Sequence, residues 1–176
     1  MKIVLTGFMG TGKSAVGRRL AERLALPFLD LDEAIEATTG LTITEIFAAE
    51  GEPAFRQKER DLIASLGHHT NCVVATGGGA VLDPDNLRRL RTGAVLVCLT
   101  AEPAVILERL GGDASRPLLQ GTDRLTRIRT LLGQRASAYA EADLTIDTSR
   151  TGIETIVDQI IGHFGLQAVA IGKRGR

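Results

Sequence analysis

The chain has no tryptophan, one tyrosine and five phenylalanines, 3% aromatic in all. A platform of rings on which nucleobases stack in series is therefore not expected, and the core has to be assembled from Leu, Ile, Val and Ala. Two cysteines and three histidines provide neither a disulfide scaffold nor the spacing of a zinc site. Cys72 and Cys98 each sit inside a short aliphatic run, Cys-Val-Val-Ala and Leu-Val-Cys-Leu, where a thiol behaves as a small buried hydrophobe. The adjacent His68 and His69 read as surface or capping residues. An excess of charge is missing too, since 21 basic and 21 acidic side chains cancel. Without an extended positive field, nonspecific binding to nucleic acid or to an anionic membrane is disfavoured. No apolar stretch approaches the roughly 20 residues that cross a bilayer. The N-terminus lacks the basic region, apolar run and small-residue cleavage site of a secretory signal. The expectation is a soluble cytoplasmic protein whose partners are small molecules.

What is present is a chain of 176 residues, 44% of them apolar, enough for one domain of ordinary size. Short apolar runs alternate with longer amphipathic segments, the period switch of repeated β-α units around a mainly parallel sheet. Strands are expected over Lys2 to Thr6, Pro27 to Asp30, Cys72 to Thr76, Ala94 to Leu99 and Leu144 to Asp147. The runs Val73-Val74-Ala75 and Val95 to Leu99 are apolar at successive positions, as strands covered on both faces should be. Helices are expected over Lys13 to Leu26, Asp32 to Thr38, Thr42 to Glu50, Glu52 to Leu66, Asp83 to Arg91, Glu102 to Leu110, Asp123 to Glu141 and Gly152 to Phe164. Pro53, Asp83-Pro84 and Asp123 supply start signals. Gly111 to Gly121 reads as a mobile loop between helices and the residues from Gly165 as a frayed tail.

Gly7-Phe8-Met9-Gly10-Thr11-Gly12-Lys13-Ser14 satisfies the pattern of a glycine, four residues and Gly-Lys-Ser, directly after an apolar strand and before an amphipathic helix. Glycines let consecutive backbone N–H groups converge on phosphate oxygens, and the helix N-terminus adds partial positive charge. Lys13 then reaches the β- and γ-phosphates, and Ser14 supplies a hydroxyl to Mg²⁺. Mg-ATP is the expected nucleotide complex, since no Asn-Lys-x-Asp stretch of the kind that reads guanine is present.

The acceptor side is read from scattered residues. Asp30 and Asp32 stand two apart at the end of the second strand, where alternation places both carboxylates on one side; the other reading of Asp32 is an N-cap of the next helix. Arg56 either faces a ligand or pairs with Glu52 four residues before it. Arg135 falls in register with the apolar stripe Leu125, Ile128, Leu131/Leu132 and Tyr139. It either meets an anionic substrate, whose carboxylate matches a guanidinium, or snorkels to solvent. Thr76-Gly77-Gly78-Gly79 follows the third strand at its carboxyl end, where parallel sheets place ligands. Arg116-Pro117-Leu118-Leu119 lies in the mobile segment, where a cationic tip could close over ATP or simply be solvated.

In this order and spacing the Gly7 to Ser14 loop, Asp30-Leu31-Asp32, Phe55-Arg56-Gln57-Lys58-Glu59, Gly77-Gly78-Gly79, Arg116-Pro117-Leu118-Leu119, and Arg135 with Tyr139 four residues later resemble the shikimate kinase family. That family lies within the nucleoside-monophosphate-kinase-like group of P-loop proteins. The resemblance covers about residues 2–164, with residues 165–176 as a tail. It implies a three-layer α/β/α P-loop fold with a five-stranded parallel sheet of order 2-3-1-4-5. A single kinase domain over residues 1–164 would hold a substrate-binding region at about 32–60 and a lid at about 111–122.

It also implies transfer of the γ-phosphoryl group of ATP to the 3-hydroxyl of shikimate, with Mg²⁺ as cofactor; a monomer is expected, though the sequence itself does not fix the oligomeric state. Gly10, Thr11, Gly12, Lys13, Ser14 and Ala15 would cradle the nucleotide, and Arg109 would stack on adenine. Asp32 would hold the shikimate hydroxyls, Arg56 and Arg135 its carboxylate, and Gly78 and Gly79 would approach the ring through backbone. Lys13, Asp32 and Arg116 would be catalytic, while Ser14 and, through water, Asp30 would serve Mg²⁺. The chain departs from the family in reading Asp147-Thr148-Ser149-Arg150 where a proline often follows the last strand, so adenine contacts are unassigned there. Its third strand ends in Thr76-Gly77, without the aspartate of many P-loop enzymes. The rivals are a gluconate or nucleotide kinase of the same group and a noncatalytic sensor of ATP or shikimate; intact Lys13, Ser14, Asp32 and Arg116 weigh against the sensor.

Overall fold

The computed structural model describes residues 1–68, 70–111, 117–119 and 123–168. His69, Arg116 and the end of the expected tail lie outside them. The described residues form the strands β1 (Lys2–Thr6), β2 (Phe28–Asp30), β3 (Cys72–Ala75), β4 (Ala94–Thr100) and β5 (Leu144–Asp147). Between and after them run the helices α1 (Lys13–Leu24), α2 (Leu31–Thr39), α3 (Ile43–Ser65), α4 (Pro84–Arg91), α5 (Pro103–Leu110), α6 (Arg124–Tyr139) and α7 (Ile153–Phe164). The strands make one parallel sheet in the order β2-β3-β1-β4-β5, as expected.

The sheet is buried on both faces, and its alternation sorts the core into two layers. Ile3, Leu5, Val73, Val97 and Leu99 pack on one face against Val16 and Leu20 of α1 and Val157 and Ile160 of α7. Val4, Val74, Leu96 and Cys98 pack on the other against Ile63 of α3, Leu90 of α4, Ile106 of α5 and Ile128 of α6. With each fully buried aliphatic side chain contributing about 1.5–3 kcal/mol, the central strand β1, where Ile3, Val4 and Leu5 are wholly covered, anchors the fold. A smaller apolar cluster of Ile35, Ile46 and Phe55 joins α2 to α3 beside the sheet.

Three local departures from expectation have physical causes. α1 stops at Leu24, two residues early, because Ala25 turns left-handed (φ 53°) and its N–H closes on Ala21 and Glu22. The two helices expected over residues 42–66 form one segment, opened by a capping box between Thr42 and Glu45 and broken at Gly51, whose φ of 81° and ψ of 169° leave the helical region. Within the expected loop at 111–121, Pro117–Leu119 make a short 3₁₀ turn.

This topology assembles the site. β2, β3 and β1 are neighbours, so the loops leaving their carboxyl ends meet, although they lie at residues 30–32, 76–79 and 7–14 along the chain. β1 is also where the strand order reverses, the crevice at which open α/β sheets take ligands.

Candidate active site

The phosphate loop leaves β1 through Gly7, at φ +129°, where a Cβ would sit 2.1 Å from the Leu99 carbonyl oxygen; only glycine passes the end of β4. Gly12, at φ 93°, caps α1, leaving the first N–H groups of that helix for an anion. Thr11 Oγ1 donates to the Phe8 carbonyl at 2.7 Å and Lys13 Nζ to the same oxygen at 2.8 Å. The ammonium is folded over its own loop and largely buried.

Ser14 Oγ donates to Asp30 Oδ2 at 2.5 Å, while Asp30 Oδ1 accepts the N–H groups of Asp32 (3.0 Å) and Glu33 (3.4 Å). This corrects two expectations. The cap of α2 is Asp30, not Asp32, and the two carboxylates do not share a side through strand alternation, because the strand ends at Asp30 and the helix begins at Leu31. Both nonetheless line one cleft, Asp30 from the cap and Asp32 from the first helical turn.

Hard oxygens at Ser14 and Asp30 suit Mg²⁺, which keeps several waters and phosphate oxygens among its ligands. Such an ion needs no cage of three side chains, and among the described residues none is found.

Each glycine after β3 makes room for a charged side chain. A Cβ on Gly77 would meet Glu59 Oε1 at 2.7 Å and Asp32 Oδ1 at 2.9 Å; on Gly78, Arg135 Nη1 at 3.4 Å; on Gly79, Arg56 Nη2 at 2.5 Å. The triplet is thus the floor against which two guanidinium and two carboxylate groups pack. Arg56 reaches it from α3, one N–H on Glu59 Oε2 (2.8 Å) and two on Glu52 Oε1 (3.1 and 3.2 Å), with its plane near the Phe55 ring. The expected pair with Glu52 therefore exists and does not draw Arg56 out of the cleft. Arg135 reaches the floor from α6, only 4% exposed, so it does not snorkel. Its Nη1 donates to the Gly78 carbonyl at 3.1 Å and its guanidinium lies 5.2 Å from the Phe8 ring centre.

Burial raises the carboxyl of Glu59, which is 1% exposed; Arg56 opposes that rise, and Asp32 and Asp83 add to it. For Arg56, burial alone would lower the guanidinium, but attraction to Glu59 and then Glu52 outweighs it and raises it. The two shifts differ in kind because Glu59 is the more deeply covered partner: desolvation wins on the acid and pairing wins on the base.

Together these groups enclose a cleft of about 340 Å³, the size of a small-molecule site. Gly10, Gly12, Lys13, Ser14 and Ala15 line it on the phosphate-loop side, and Asp30, Asp32, Arg56, Gly78, Gly79 and Arg135 on the other. Thr11, expected in the cradle, is not among the residues that line the cleft: it is buried, with its hydroxyl turned into the loop onto the Phe8 carbonyl. Arg109 stands behind the loop, bonded to Thr148 through its carbonyl (2.5 Å) and hydroxyl (2.9 Å) and to the Gly10 carbonyl (3.3 Å). Arg116 lies outside the described residues. Sequence reasoning missed Glu59 as the main partner of Arg56, although their spacing of three on one helix signalled it. It also missed Thr148, whose hydroxyl joins the Thr11 and Thr100 carbonyls at 3.0 Å and has no local signal. The apolar edge of Ile43, Phe47 and Leu118 was not foreseen either.

The sequence model of the shikimate kinase family matches residues 9–164. A shikimate kinase of Pelotomaculum thermopropionicum is 46% identical over 162 residues, 92% of this chain and 94% of its own. One of Geobacter sulfurreducens is 49% identical over 158 residues, 90% of this chain and 87% of its own. Among solved structures, a shikimate kinase from Acinetobacter baumannii in complex with shikimate matches with a TM-score of 0.89 at 38% identity, covering 93% of this chain and 92% of that one. A gluconokinase from Sinorhizobium meliloti, at TM-score 0.58 and 18% identity, shares the fold alone. With its phosphate loop, paired aspartates and two buried-wall arginines on that same frame, the chain belongs to the shikimate kinase family.

Proposed function

We propose that the chain transfers the γ-phosphoryl group of ATP to the 3-hydroxyl of shikimate, giving shikimate 3-phosphate and ADP. The observation that carries this reading is the meeting of Arg56 and Arg135, from separate helices, on the glycine floor of a cleft whose other wall is the phosphate loop. Two guanidinium groups there suit a carboxylate, and Asp32 suits the neighbouring hydroxyls. A neutral sugar offers no group that would engage both arginines in the same way, whereas the phosphate of a nucleotide or the carboxylate of gluconate does, which makes AMP and gluconate the rival acceptors to test.

In an in-line displacement with a loose transition state, positioning and charge stabilisation outweigh full deprotonation of the alcohol. Arg56, Arg135 and the Gly78 and Gly79 backbone would fix the acid end. Asp32 would orient the 3-hydroxyl and accept its proton late. Lys13 would leave the Phe8 carbonyl for the phosphates as charge develops on them, and Arg109 would border the adenine. Mg²⁺, held by Ser14 and through water by Asp30, would supply positive charge to the β- and γ-phosphates when bound. Arg116, in the lid segment at about 111–122, is proposed as a further cation over the transferring group. The reading takes the chain as a cytoplasmic monomer acting on ATP and shikimate, not on nucleic acid or membrane; among the described residues no helix is long and apolar enough to cross a membrane.

Coupled ADP release from purified protein and Mg-ATP tests this, with shikimate, quinate, gluconate and AMP offered separately. Shikimate-dependent release is expected, reduced well over tenfold in Asp32→Asn with ATP binding retained. Release with gluconate or AMP and none with shikimate would overturn the assignment, and no release with any acceptor would favour a sensor.

A further inference from the structure

Tyr139 stands four residues past Arg135 on α6 and takes no part in the reaction described above. A spacing of four puts both side chains on one face of the helix, and they converge on one atom. Tyr139 Oη donates to the Gly78 carbonyl oxygen at 2.6 Å, and Arg135 Nη1 donates to the same oxygen at 3.1 Å. A carbonyl oxygen has two lone pairs, and here two donors meet them. Both side chains are almost completely covered, where a hydrogen bond is electrostatically stronger than in water.

The acceptor needs such holding. Gly77, Gly78 and Gly79 have no side chains with which to anchor themselves, and a glycine backbone forfeits more freedom on ordering than any other. Gly78 is also the point where the floor touches the phosphate loop, since a Cβ there would lie 3.4 Å from the Gly7 carbonyl oxygen and the Met9 nitrogen. Arg135 is a large planar group whose remaining N–H donors can meet a carboxylate only if its plane is fixed. The Phe8 ring supports one face of that plane, and the Gly78 carbonyl sets its rotation.

We propose that Tyr139 is a positioning residue for the acid-binding wall: its hydroxyl fixes the Gly78 carbonyl, and that carbonyl fixes the Arg135 guanidinium that receives the substrate carboxylate. The inference rests on the reading of the cleft as a shikimate site. Burial pushes the Tyr139 hydroxyl up to about 12, against the opposing pull of Arg135, so it stays a protonated donor at any working pH.

Tyr139→Phe keeps the ring in the core and removes only the donor. Its shikimate KM should rise about five- to tenfold, as loss of one buried hydrogen bond implies, with the ATP KM within twofold of the parent. In an Arg135→Lys background the same substitution should change the shikimate KM by no more than about twofold, because the plane that Tyr139 sets is gone. Wild-type turnover is measured first, so a wrong substrate shows as absent ADP release before any variant is compared. The positioning role is overturned if Tyr139→Phe leaves the shikimate KM unchanged, or if its full effect persists beside Arg135→Lys. It is equally overturned if both KM values rise together, the mark of a merely structural residue.

Discussion

Replacing Gly79 with alanine should separate the acid-binding arginine from the rest of the machinery. Gly79 has φ −110° and ψ −3°, a conformation open to alanine, so the backbone itself adds no strain. What the new methyl meets is Arg56, with Nη2 2.5 Å and Cζ 2.8 Å from an ideal Cβ. Ordinary contact begins near 3.4 Å, so the guanidinium has to withdraw by about 0.9 Å, the scale of displacement that can cost on the order of a hundredfold at a reacting site. It cannot withdraw freely, because Glu59 holds Nη1 at 2.8 Å and Glu52 holds Nε and Nη2. Losing one charge-assisted hydrogen bond to the substrate costs about 1.5–3 kcal/mol, roughly 10- to 150-fold in shikimate affinity. The fold should lose only about 1 kcal/mol, or about 2–4 °C in Tm, the scale of one weakened hydrogen bond among the three that hold Arg56. Steady-state ADP release with each substrate varied in turn, beside a thermal melt, reads all three quantities. A shikimate KM within twofold of the parent, or an ATP KM that rises in parallel, would refute the reasoning.

How much of this was legible in the sequence depended on how local the physics was. The phosphate loop is eight consecutive residues whose glycines and helix start act on their immediate neighbours, so it could be read directly. The break at Gly51 likewise lies in a single residue that tolerates φ 81°. Asp30 and Asp32 line one cleft, but not through the alternation from which that was read: alternation assumes a strand through both, whereas the Asp30 carboxylate ends the strand by capping α2. For Arg56, the sequence reading named Glu52, four residues before it, and passed over Glu59, three after; what makes Glu59 the closer partner is its burial, which depends on how α3 lies on the sheet. Arg135 could be recognised as a charge in an apolar stripe, but its acceptor, Gly78, is 57 residues away. Thr148 was invisible for the same reason, since its bonds run to Thr11 and Thr100 across three loops. The strand order came from family resemblance; alternation and run length identify strands without ordering them.

Gly7→Ala should cost stability: with φ +129° and a methyl 2.1 Å from the Leu99 carbonyl oxygen, strain and overpacking cost at least about 3 kcal/mol. A melt should fall by about 6–12 °C, and a shift under 2 °C would contradict the close approach. Cys98 is fully buried and its thiol is pushed by that burial up to about 11, and burial raises Cys72 as well. Iodoacetamide at pH 8 should therefore leave both unmodified in the native protein and alkylate both in urea, with rapid native labelling seen by mass as the contrary result. Glu59 gives a pH signature whose sign is fixed by its environment. Burial first, then Asp32 and Asp83, raise its carboxyl above the 4.5 of a free glutamate despite Arg56, so the folded chain holds this proton more tightly than the unfolded chain does. The resulting stability is complete below the unfolded value and is lost as pH rises through the folded one. Glu59→Gln has no such proton, and every other titrating group is common to both proteins. The urea midpoint of wild type relative to Glu59→Gln should therefore be greatest near pH 4 and decline toward pH 7. A difference that is flat or grows with pH would mean that the pair with Arg56, not desolvation, governs this carboxylate.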